Sequence, residues 1–148
     1  MEVRKIQLEI ASDHAGYVFK EEIKKNLQLH PEYMLTDEGP LSADPVDYPD
    51  YAHPVAKKVN EGKADYGILI CGSGNGVAMT ANKYSNVRAA LCWQEEIALL
   101  ARKHNNANII CIPARFCELS IAKKMIHLFL STSFEGGRHQ KRIDKISC

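Results

Sequence analysis

A chain of 148 residues fits one domain that buries about two-thirds of the surface its unfolded form would expose, so it folds without help from a metal or a disulfide. Its 19 basic and 18 acidic residues leave a formal charge of +1, which excludes a global field that recruits nucleic acid or an anionic membrane; anions must be bound locally. No run approaches the roughly 20 apolar residues of a membrane span, and MEVRKIQLEIASDH lacks the apolar segment of a secretory signal, so the expectation is a cytoplasmic protein.

Short apolar runs alternate with stretches of helical period, without an internal repeat or a low-complexity linker. IQLEIAS (6–12) has strand character and ends at DHAG, after which residues 17–29 place Phe19, Ile23 and Leu27 on one helical face. YMLTD (33–37) reads as a second strand. PDYAHPVAKKVNEG (49–62) reads as a helix starting near Pro49 and closed by Gly62, with Pro54 in its first turn or bending it. YGILIC (66–71) is nearly all apolar, as a central parallel strand covered on both faces should be, and VRAALCW (87–93) and ANIICIP (107–113) are alike in this. Residues 94–104 and 117–130 have helical patterning. Five strands alternating with helices imply one α/β domain, a three-layer αβα sandwich spanning 1–148. A short basic helix at about 138–147 closes the chain with only Ile143 and Ile146 as apolar anchors. So sparse a face predicts packing on a partner subunit or over a ligand.

The five cysteines, Cys71, Cys92, Cys111, Cys117 and Cys148, are odd in number and form no CxxC pair. They read as free thiols in a reducing compartment, neither a disulfide framework nor a zinc site.

In open α/β sheets ligands sit beyond the carboxyl ends of the strands. Those ends carry Asp13 and His14, the loop Cys71, Gly72, Ser73, Gly74, Asn75, Gly76, and Arg115. Three glycines within CGSGNG let backbone amides converge on an anion at the start of the next helix. The loop is not a dinucleotide fingerprint, because Val77 stands where the third glycine of GxGxxG belongs, and no GK[ST] follows. A thiol beside such amides has its thiolate stabilised. Cys71 is therefore suited to act as a base, and the amides to hold an oxygen that becomes negative during reaction, such as an enediolate. Ser73 is either a proton relay or a turn former. Asp13 is either functional or a helix cap, and His104, in KHNN, either functional or favoured by the helix dipole. Arg138 and Arg142 are four apart and project from one helical face, suited to a phosphate or else a solvated basic tail. A lone basic turn without aromatic platforms is a poor nucleic-acid footprint. A redox role for Cys71 is disfavoured by the lack of a resolving cysteine nearby in sequence. His30, His53 and His127 read as structural.

Taken in order and spacing, SDHAG, DYPDYA, GILICGSGNG, ANK, RKHNNAN and EGGRHQKR resemble the type B ribose-5-phosphate isomerase family, which also holds galactose-6-phosphate and allose-6-phosphate isomerases. The resemblance covers nearly the whole chain. It implies a five-stranded parallel sheet of order 2-1-3-5-4 and a metal-free aldose–ketose isomerase without cofactor, with active sites shared between the subunits of a homodimer or dimer of dimers. It implies Cys71 as the base between carbons 1 and 2, His104 of the neighbouring subunit as the group that opens the ring, Asp13 as its assistant and Ser73 as the shuttle between oxygens. The amides from Gly72 to Gly76 would hold the enediolate. His14, Arg115, Arg138 and Arg142 fall at phosphate-binding positions, Arg115 reaching across the interface, while Asp47, Tyr48 and Asn105 match residues that contact sugar hydroxyls. One branch of the family places a glutamate base six residues after the cysteine position; here that position is Val77, so the implied chemistry is the cysteine's. Ribose 5-phosphate is the first substrate expected. A six-carbon phosphate, or a noncatalytic phosphosugar-binding role, is the alternative.

Overall fold

A computed structural model describes residues 3–147; Cys148 lies outside them. The strands are β1 (Ile6–Ser12), β2 (Tyr33–Asp37), β3 (Tyr66–Cys71), β4 (Ala89–Leu91) and β5 (Ile109–Pro113), and the helices are α1 (Tyr17–Leu27), α2 (Tyr48–Asn60), α3 (Asn75–Ala81), α4 (Glu95–Asn105), α5 (Leu119–Ser131) and α6 (Arg138–Asp144). All pairings are parallel, and the order is β2-β1-β3-β5-β4, as the family resemblance implies.

Strand alternation divides the core in two. Leu8, Ile10, Ile68, Ile70, Ile110 and Ile112 face α1, α4 and α5, whereas Leu69, Cys71, Ile109 and Cys111 face α2 and α3. The central strands β3 and β5 are buried on both faces, which is why their sequence is continuously apolar. The edge strand β4 shrinks to three residues of intermediate exposure, because beyond Leu91 the chain has already turned toward α4. At Gly67 a Cβ would come within 2.7 Å of Val55, so α2 rides directly on β3. Pro54 falls inside α2, whose first turn also holds Pro49.

Several boundaries differ from the sequence reading, among them those of the last two helices. The last helix ends at Asp144 rather than 147, and its buried anchor is His139, while Ile143 is half-buried and Ile146 is 64% exposed. The helix expected over 117–130 begins at Leu119, with Glu118 extended before it. No helix of the described residues is long and apolar enough to cross a membrane.

Glu9, on β1 and 5% exposed, has its carboxyl pushed up to about 7, chiefly by burial and then by Glu38, against the pull of the Lys58 ammonium 3.2 Å from its Oε1. A carboxyl whose folded pKa is raised contributes stability that is present below its unfolded pKa and lost as pH climbs through the folded one. The melting temperature of a Glu9→Gln variant, relative to the natural chain, is therefore expected to rise between about pH 5 and about pH 8. A pH-independent difference would show that Glu9 is not the strained carboxyl.

Candidate active site

The carboxyl ends of β1, β3 and β5 meet at one mouth. The Asp13 amide donates to the Ile70 carbonyl at 3.1 Å, and the Arg115 amide donates to the Gly72 carbonyl at 3.0 Å, so the three loops are tied at their bases. Cys71, the last residue of β3, is 4% exposed, and the Gly74 amide donates to its sulfur at 3.1 Å. Gly74 takes φ of +75°, a left-handed conformation that costs a side-chain-bearing residue and is free for glycine. That turn aims its amide back at the sulfur.

The other residues expected at this end gather around the loop. The Asp13 carboxylate accepts from the Gly16 amide at 3.0 Å and so closes the turn into α1. His14 accepts from the Val46 amide through Nδ1 at 3.2 Å, which pins the segment leading to Asp47 and Tyr48 and leaves the ring proton on Nε2. Tyr48 lies across Gly76, where a Cβ would stand 2.5 Å from its ring. The guanidinium of Arg115 rests against Gly72 of its own chain, within 3.2 Å of where a Cβ would be. Ser73 accepts from the Asn75 amide at 3.3 Å, a turn contact, with its hydroxyl still partly open to solvent.

His104, Asn105, Arg138 and Arg142 form a second group, elsewhere. Helix α4 returns antiparallel to the strands and ends beside the start of β5, where the Asn108 amide donates to the Arg88 carbonyl at 3.0 Å. These residues therefore stand at the amino edge of the sheet. Strands of five or six residues put about 17–20 Å between the two edges, far beyond the reach of an imidazole. A cavity of about 560 Å³ opens beside Asn105, bounded by Tyr84, Arg88 and Ile146 of the tail. The two groups thus stand at opposite edges of the sheet and cannot meet within one chain.

The second group includes two residues that the sequence reading missed. His139, 5% exposed, stacks on His104 with ring centroids 4.3 Å apart and planes 13° from parallel. Glu135 stands over both, with carboxylate oxygens 4.0 Å from His104 Nε2 and 3.6 Å from His139 Nε2. Burial, with the positive charge around His104 and Arg138 as the next cause, holds His139 below the ordinary imidazole range. The four-residue spacing of Glu135 and His139 across EGGRH was the available signal. A histidine in a basic run instead reads as part of a solvated face.

Among the described residues, the other thiols are all held above the ordinary thiol range. Burial pushes Cys92 up to about 12 and Cys111 well above its ordinary value, and raises Cys117 too. All four described cysteines are free. Of the histidines read as structural, His53 bonds the Tyr84 hydroxyl at 2.8 Å, His127 bonds Asn26 at 2.9 Å, and His30 packs edge-on against His127.

Comparison with known proteins identifies the family. A family model described as Ribose/Galactose Isomerase matches residues 8–146. The probable ribose-5-phosphate isomerase B of Mycoplasma genitalium is 49% identical over 93% of this chain and 91% of its own, and the ribose-5-phosphate isomerase B of Escherichia coli is 39% identical over 91% and 90%. A crystal structure of the Mycoplasma genitalium enzyme with bound ribulose-5-phosphate superposes with a TM-score of 0.92 at 46% identity, covering 97% of this chain and 95% of that one.

Gly76→Ala is expected to push Tyr48 aside. Because the obstructing ring is an exposed side chain, the melting temperature should change by no more than the equivalent of about 1 kcal/mol while substrate affinity falls several-fold. An affinity left unchanged would remove Tyr48 from the site.

Proposed function

Because the chain belongs to the ribose/galactose isomerase family, we propose that it interconverts ribose 5-phosphate and ribulose 5-phosphate, with Cys71 as the base. The observation that carries this reading is the Cys71 sulfur, held at the end of a buried strand with the Gly74 amide 3.1 Å away. Asp13, His14, Tyr48 and Arg115 stand on the loops at the same end of the sheet, Arg115 against Gly72 and Tyr48 against Gly76.

In the proposed course the sugar ring opens with a proton handled by His104 of a second copy, assisted by Asp13. Cys71 then removes the carbon-2 proton. The resulting enediolate lies in the amides of Gly72, Ser73, Gly74, Asn75 and Gly76, where developing negative charge meets fixed donors. Ser73 passes a proton between the two oxygens, and the Cys71 proton returns to carbon 1, so that the sulfur ends the cycle as it began. Asp47, Tyr48 and Asn105 hold sugar hydroxyls. His14, Arg115, Arg138 and Arg142 hold the phosphate, whose binding energy orients the reacting carbons. The step needs no metal and no cofactor.

A homodimer, alone or doubled into a dimer of dimers, follows from the same reading. The separation of His104, Arg138 and Arg142 from Cys71 within one chain supports it, since two copies related by a twofold axis place the amino edge of each against the carboxyl edge of the other and complete two sites at once.

Purified protein is expected to turn over ribose 5-phosphate faster than allose 6-phosphate or galactose 6-phosphate. Cys71→Ala should lower kcat by at least about a thousandfold without loss of the folded state. Near-normal turnover by that variant would refute the cysteine mechanism, and a preference for a six-carbon phosphate would reassign the substrate.

A further inference from the structure

We propose that His104, Glu135 and His139 form a binding site for a borderline-soft divalent cation of the zinc class, and that its occupation inhibits isomerisation by claiming the His104 imidazole. The inhibitory half rests on the role given to His104 above; the binding half does not.

One donor atom from each of the three residues lies within 4.8 Å of the other two. Tetrahedral zinc with bonds of 2.0–2.1 Å holds its ligand atoms about 3.3 Å apart. The carboxylate approaches the rings through different oxygens, Oε2 at 3.6 Å from His139 Nε2 and Oε1 at 4.0 Å from His104 Nε2, so the carboxyl must turn to bring one oxygen to both rings, closing separations that are at most 4.8 Å. The rings, now nearly parallel, must open toward a common point. His104, whose side chain is 39% exposed, is the ring with room to turn.

His139 supplies the independent pointer. Its ring is buried, yet Nε2 has no hydrogen-bond partner and is directed toward Glu135. An orphaned buried imidazole nitrogen is costly unless something accepts its lone pair or proton. The cradle is built deliberately. Gly136 and Gly137, at φ of +71° and +57°, fold the chain so that Glu135 returns over His139, and the Glu135 amide is fixed to the Lys103 carbonyl of α4 at 3.1 Å.

The donor set selects the ion. Two imidazoles and one carboxylate suit zinc and leave a fourth position open to water, whereas magnesium and calcium require oxygen ligands. The charges of Arg138 and Arg142, on the helix that carries His139, oppose any cation. Binding must come from the coordinate bonds, and a hard ion that relies on charge alone is rejected.

Calorimetric titration of the full chain with zinc chloride tests the site, with magnesium chloride as control. One zinc per chain is expected, with binding unchanged in Cys71→Ala and weakened at least about tenfold in both Glu135→Gln and His139→Asn. Zinc should also slow isomerisation with a midpoint that matches the titration, reversibly on chelation, and the inhibition midpoint of Glu135→Gln, measured against that variant's own zinc-free rate, should move by the same factor as its binding. No binding up to about 1 mM zinc, binding that survives both substitutions, or binding that vanishes with Cys71 overturns the site. Binding at the site without loss of rate overturns the inhibitory role. Failure of the isomerase reading itself would leave the calorimetric result untouched, so the two are separable.

Discussion

Everything at the carboxyl edge depends on the pleat of β3. The strand is buried on both faces, so alternation admits no slippage, and its last side chain must point toward α2 and α3. That residue is Cys71. The chain then turns at Gly72, and the left-handed Gly74 returns its amide to the sulfur. A side chain at Gly74 would also meet the backbone of Ile112 and Pro113 at 3.3 Å. The Cys71 sulfur and the amide that donates to it are therefore placed by the packing of β3 against β5, the fixed placement that the proposed charge-stabilising role requires.

The sequence made the central sheet legible because double burial writes itself as uninterrupted apolar runs, as in YGILIC and IICIP. It pointed to the carboxyl edge because glycines, a strand end and a thiol coincide at CGSGNG. The ends of elements were less clear. VRAALCW has the same character as the buried strands, yet only Ala89–Leu91 pairs, since an edge strand has one neighbour and the chain is soon drawn toward α4.

The tail shows a different limit. Ile143 and Ile146 were the visible apolar anchors, but the residue that α6 buries is His139, stacked on His104 and faced by Glu135. An imidazole is polar by composition and apolar across its ring face, so a pattern of hydrophobic residues does not register it. Nor does sequence reveal that His104 and Cys71 sit at opposite edges of the sheet. Only the return direction of α4 does so, and with it the arginines of α6 stand beside His104 at the amino edge, away from Cys71.

That separation is the central claim, and mixed subunits test it most directly. Cys71→Ala and His104→Asn chains, each inactive alone, are to be unfolded together in equal amounts, refolded and assayed. If each site takes Cys71 from one chain and His104 from another, half of the dimers are mixed and each has one intact site, so activity should return to about a quarter of that of the natural protein. If both groups came from the same chain, no mixed dimer would hold an intact site, and an absence of recovered activity would contradict the account.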